Sequence, residues 1–167
     1  MPQAKLDRLL SCATGLGTGG RIDVIRFLLE RGANPNGEDS RKIPLIGEIQ
    51  LKRAEIVRLL LKYKADPNIE DLQGRTSLYV CAEYPSAGSD TALAEIIALL
   101  VRGGADLDKE ATQEGSLTKI TPIKVALQNS AAPRRLKILL QAQKQKTLRK
   151  FKIHSQPLLK IEPDAHS

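Results

Sequence analysis

The chain is poor in the residues from which most chemistry is built. Its 167 residues include no Trp, two Phe, three Tyr, one Met, two Cys and two His. Both histidines, His154 and His166, lie near the C-terminal end, so neither lies among the repeated segments described below. Cys12 and Cys81 are 69 positions apart, which is no metal spacing and no disulfide framework. With so few aromatics the core must be Leu, Ile, Val and Ala, which suits thin helical layers better than a sandwich or barrel. No apolar run reaches the length needed to cross a bilayer. The opening MPQAKLDRLLSCATG lacks the basic start and long apolar stretch of a secretory signal. Together with sparse cysteine, this leads us to expect an intracellular protein, cytoplasmic or nuclear.

Acidic residues are missing from one segment. Between Arg134 and Lys152 stand eight basic residues and no carboxylate; the remaining 18 basic residues nearly balance all 19 acidic ones. The net charge of +7 therefore belongs to the C-terminal segment, and the body is close to neutral.

What the chain does have is one phrase written three times: IDVIRFLLERGANPN at 22–36, AEIVRLLLKYKADPN at 54–68 and LAEIIALLVRGGADLD at 93–108. Val24, Phe27 and Leu28 recur as Ile56, Leu59 and Leu60, then as Ile96, Leu99 and Leu100. The i, i+3, i+4 spacing makes each set one apolar stripe of a helix. Gly32 and Gly104 follow where a helix ends at positive φ. Lys64 takes that place in the second copy, and in the same geometry it costs about 1 kcal/mol. Asn34, Asp66 and Asp106 then supply the side chains of a turn.

A second phrase precedes each of these. It is clear in TSLYVCA (76–82) and TPIKVAL (121–127) and looser in IPLIGEI (43–49) and DRLLSCA (7–13). Thr76, Thr121 and Asp7 suit a helix N-cap, and Pro44 and Pro122 the first helical position. Cys12, Cys81 and Ala126 fall at one small-residue position, where close packing is expected rather than a reactive thiol.

These phrases resemble the ankyrin repeat, whose first helix reads T-P-L-H-x-A and whose period is about 33 residues. The resemblance covers roughly 6–143 and implies an all-α solenoid of helical hairpins joined by finger loops. We expect units at 6–36, 37–68, 69–108 and 109–143, then a basic helical extension and a loose tail over 144–167. Departures from the period are YPSAGSDTA (84–92) between the helices of unit three and the long finger KEATQEGSLTK (109–119). LGTGG (16–20) reads as an inter-helix loop, because a helix and not a strand precedes it. After LKILLQAQ no Gly or Pro appears until Pro157, so the last helix is expected to run on to about Phe151.

By resemblance, the contact surface lies on the fingers and the concave face of the first helices. That nominates Glu38, Ser40, Arg41, Glu70, Leu72, Gln73, Arg75, Tyr79 and Glu83 for binding a protein partner. Packing is an equal expectation for Tyr79, which stands at the His position of the pattern. Arg134, Arg135, Lys144, Lys146, Arg149, Lys150 and Lys152 form a basic patch. It is read as a solubilising face, or alternatively as a localising contact with nucleic acid or anionic membrane. No catalytic motif is present, and no cofactor or metal is implied. The expectation is a monomeric protein-binding module, not an enzyme.

Overall fold

The computed structural model describes residues 2–14, 21–38, 42–83, 91–112, 119–129 and 134–154, with backbone alone at 112, 134–136, 138 and 151–154. Eight helices form among them: α1 (Gln3–Ala13), α2 (Ile22–Glu30), α3 (Pro44–Gln50), α4 (Ala54–Lys62), α5 (Ser77–Glu83), α6 (Thr91–Arg102), α7 (Pro122–Gln128) and α8 (Arg134–His154). They pair as hairpins, α1 with α2, α3 with α4, α5 with α6 and α7 with α8. Like helices then stack: α3, α5 and α7 in one layer, α2, α4, α6 and α8 in the other. Between α6 and α7 the long finger is a two-stranded antiparallel ribbon, with β1 (Ala111–Thr112) paired to β2 (Lys119–Ile120).

Most of these helices span only two or three turns, too few to persist alone in water. What stabilises them is burial of one side against each neighbouring hairpin. The core runs unbroken through the stack, from Leu10 and Ile25 through Leu45, Val57 and Leu60 to Leu78, Ile96, Leu100 and Leu140. Pro44 and Pro122 begin α3 and α7. Thr121 caps α7 by accepting from Lys124 N, and Thr76 Oγ1 accepts from Tyr79 N. Asp7 is not a cap: α1 starts at Gln3, and the Asp7 carboxylate is used elsewhere, as described below.

α2, α4 and α6 end in the same double bond. Ala33 N donates to Leu28 O and Gly32 N to Leu29 O; Ala65 and Lys64 repeat this onto Leu60 and Leu61, and Ala105 and Gly104 onto Leu100 and Val101. This closure requires one residue at positive φ. Gly32 has φ +88° and Gly104 +92°, but Lys64 adopts +70° with a side chain. Lys52 ends α3 the same way at +56°.

Two expectations need correction. Val24 and Phe27 are exposed, although their counterparts Ile56, Leu59 and Ile96 are buried. Cys12 is exposed while Cys81 is fully buried. In both cases the repeat position is packed only where an earlier hairpin lies over it. The last helix does run on past residue 143, as expected from the missing stop: α8 extends from Arg134 to His154 and remains partly covered through Thr147.

One core residue departs from the apolar rule. Glu48 is fully buried at the small-residue position held by Cys81 and Ala126. Its Oε2 lies 3.5 Å from Arg53 Nη1, and its Oε1 has no hydrogen-bond partner among the described residues. Burial pushes the Glu48 carboxyl above its ordinary value of 4.5, and Arg53 offsets only part of that.

Three outcomes are expected. Lys64→Gly relieves the left-handed strain but frees the unfolded chain, for a net stabilisation of about 0.5 kcal/mol. Gly32→Ala, where a Cβ meets nothing within 4 Å, costs about 1 kcal/mol from backbone strain alone. Urea unfolding midpoints at constant m-value decide the pair, and a lowered midpoint for Lys64→Gly would contradict the first. For Glu48, the folded state holds the proton to higher pH than the unfolded chain. Its contribution is therefore most favourable below 4.5 and is lost as pH rises through the raised folded value. The stability of Glu48→Gln relative to wild type should accordingly increase from acid to neutral pH; a flat difference would show that Glu48 is not held protonated.

Candidate functional site

The turns after α2, α4 and α6 are locked to themselves and to one another. Within each, an Asx side chain accepts from the backbone two residues on: Asn34 from Asn36 N (3.1 Å), Asp66 from Asn68 N (2.8 Å) and Asp106 from Asp108 N (2.9 Å). Between them, Asn36 Oδ1 accepts from Asp66 N and Asn68 Oδ1 from Asp106 N, both at 2.7 Å. Asn68 Nδ2 also donates to Gly104 O at 3.0 Å.

The ladder begins on α1. Asp7 Oδ1 accepts from Asn34 N at 2.6 Å, and Gln3 Nε2 donates to Gly32 O at 2.7 Å. These two side chains together do what Asn68 does alone. At the other end Asp108 holds the place of Asn36 and Asn68 but meets no further turn. Instead Lys144 Nζ of α8 lies 3.3 Å from its Oδ1.

The ladder fixes the base from which each finger projects. The finger at 69–75 is the best defined. Gly74 N donates to Asp71 O, closing a tight turn. Asp71 Oδ1 accepts from Gln73 N and Arg75 N. Arg75 then bridges Asp71 Oδ2 at 2.9 Å and Glu83 Oε2 at 3.0 Å, tying the finger to the end of α5. Lys109, from the next finger, donates to Asn68 O at 2.7 Å and pairs with Glu70 at 3.0 Å. Every charged group in this finger thus has a structural partner. Left at the tip are Gln73 and Leu72, the latter 66% exposed.

The nominated residues therefore separate. Leu72 and Gln73 are presented together, with Glu70 beside them but paired. Arg75 and Glu83 are braces that hold the finger. Tyr79 is a packing residue, not a contact: it is 2% exposed and sits against Ala111, Ile120 and Val125 at the root of the ribbon. The unusually long finger creates this second small cluster, which is why an aromatic fits there. Glu38 is exposed in its own finger, while Ser40 and Arg41 lie outside the described residues. So do most of the two inserted loops, and LGTGG.

In the basic segment, Lys144 is engaged by Asp108, and Lys146, Arg149 and Lys150 are exposed. Arg134, Arg135 and Lys152 lie on α8, their side chains outside the described residues. Sequence reasoning missed a groove of about 640 Å³ between α8 and the end of α6, lined by Val101, Ala105, Gln143, Lys146, Thr147 and Lys150. It arises because α8 runs on where earlier units turn, so the signal was the missing Gly-Ala-Asp.

Reactive groups are not gathered anywhere in the described residues. No three His, Cys, Asp or Glu side chains could jointly hold a metal ion among them. Burial pushes the Cys81 thiol far up from its ordinary value, so it stays protonated and inert. No described helix is long and apolar enough to cross a membrane. The arrangement offers a shaped surface, with rigid polar braces and one apolar tip.

A family model described as ankyrin repeats, in three copies, matches residues 9–111. No curated protein matches the chain.

Proposed function

Since the chain belongs to the ankyrin-repeat family, we propose that it binds a protein partner through the 69–75 finger and the adjoining surface of the first helices. Ankyrin repeats are generally protein–protein interaction modules, and their family is typically made of non-enzymatic scaffolds. The observation that carries the proposal is Leu72. A large apolar side chain stands mostly in water, on a turn that Asp71 and Arg75 hold rigid. Ordering costs at an interface are lowest for side chains already fixed, and apolar anchors at the centre of a contact dominate its energy. Gln73 supplies a directional hydrogen bond beside the anchor.

We prefer this reading to a localising adaptor that touches nucleic acid or anionic lipid through α8. Lys144 pairs with Asp108, and the described exposed cations of that segment are few: Lys146, Arg149 and Lys150. The protein works as a non-covalent scaffold inside the cell, where its free thiols stay reduced.

A photo-crosslinking residue placed at position 72 should capture a defined partner protein from a cell extract, while one at Lys62, exposed on the opposite helix layer, should not. Against that partner, Leu72→Ala should weaken binding by about tenfold. Adducts formed equally from 72 and 62, or an unchanged affinity for Leu72→Ala, would contradict the proposal.

A further inference from the structure

Unit one presents an apolar face whose described counterparts in the later units are buried or half-buried. Leu9 is 39% exposed, whereas Leu45 and Leu78 at the same repeat position are each 1%. Phe27 is 48% exposed against 8% for Leu59. Val24 and Cys12 follow the same rule. Unit four is also at an end of the array, yet it buries Ile123 and Ala126. The covering is therefore done by the preceding hairpin, and these four residues mark the side of unit one that faces away from unit two.

The charges on that side have one sign. Arg8 stands in water where Pro44, Ser77 and Pro122 are buried. Arg31 lies over the Phe27 ring at 3.9 Å from its centroid. Stacking holds the guanidinium flat and leaves its N–H edges free to grip a carboxylate. The acids of α2, Asp23 and Glu30, occupy positions that are exposed in units two and three as well (Glu55 and Glu95; Lys62 and Arg102). They therefore lie on the outer surface of the array, along one edge of this face, four residues before and three after Phe27, and Asp23 is paired there with Arg21 at 2.9 Å.

The polar seam beside the patch is already closed. A stacked repeat would offer its own turn side chain to Asn34 N and Gly32 O, but Asp7 and Gln3 fill both. Another repeat is therefore a poor fit, and a single helix suffices. A second copy of this chain is disfavoured by charge, because its other end carries Lys146, Arg149 and Lys150, and two copies of the arginine-rimmed face repel.

We propose that the Leu9, Cys12, Val24 and Phe27 face, rimmed by Arg8 and Arg31, is a docking site for an amphipathic helix whose apolar stripe is flanked by acidic residues. The apolar stripe takes the place that a preceding hairpin takes on later units, and its carboxylates meet the two guanidinium groups. This surface is separate from the Leu72 finger and does not depend on it.

Cys12 reports occupancy directly, since it is exposed within the patch and Cys81 is buried. The rate of Cys12 alkylation by N-ethylmaleimide is measured with two helical peptides of about 18 residues, or five turns. Both carry the same Leu stripe, one flanked by Glu and the other by Lys. At saturation the Glu peptide should slow alkylation by about tenfold and the Lys peptide should not. Arg31→Glu should abolish that preference, and anisotropy of the labelled peptides should show the same order of affinity. Equal protection by both peptides, or protection by neither, would overturn the proposal. So would a dimer in sedimentation that Phe27→Glu dissolves, which would make a second copy the occupant.

Discussion

The structure depends on a hydrogen bond that crosses from one turn to the next. The side-chain oxygen of Asn36 or Asn68 accepts the first backbone N–H of the following turn. Apolar stacking alone lets neighbouring helix pairs slide and rock, because dispersion contacts have no direction. A directional bond at the same point of each unit fixes the offset between them. Each such bond contributes about 1 kcal/mol. The ladder also requires that each turn be identical in shape. That is why Lys64 is drawn into a left-handed conformation that a lysine resists.

The two ends of the ladder show how the constraint is met where no turn is available. On one side Gln3 and Asp7, one turn apart on α1, replace the two bonding groups of a single asparagine. On the other, the Asp108 carboxylate takes a lysine from α8. The carboxylate at 108, where asparagine stands at 36 and 68, suits this exchange: its new partner is a cation, not an amide. The polar seam is thus satisfied along its length. The apolar layers are not, and unit one shows the leading side of the stack.

Much of this was legible in the sequence, because the repeated features are local. The i, i+3, i+4 stripes, the Gly-Ala-Asp stops and the Thr-Pro starts each bias a few consecutive residues. Their recurrence gave the hairpin array and the helix running past residue 143. What the sequence hid was decided by neighbours. Val24 and Ile56 read alike but differ in burial, because only one has a hairpin before it. Asp7 looks like a cap, yet it serves a turn 27 positions away. Tyr79 looked equally suited to contact and packing until Ala111 and Ile120, in the paired strands, closed over it. Glu48 lay inside a loosely matching phrase, and nothing local signals that a carboxylate is buried there with Arg53 beside it.

In functional terms, rigidity at the turns is what makes the finger useful. Asp71, Arg75 and Lys109 consume the polar groups of the second finger, so Leu72 is offered without a charge to distract from it. The ladder is tested most directly by native-state hydrogen exchange at the amides of Asp66 and Asp106. Both lie in exposed turns, where free amides exchange at peptide rates. The account predicts protection approaching that of the core helices, with Asn68→Ala releasing Asp106 but not Asp66. Peptide-like exchange at both amides in the wild-type protein would contradict it.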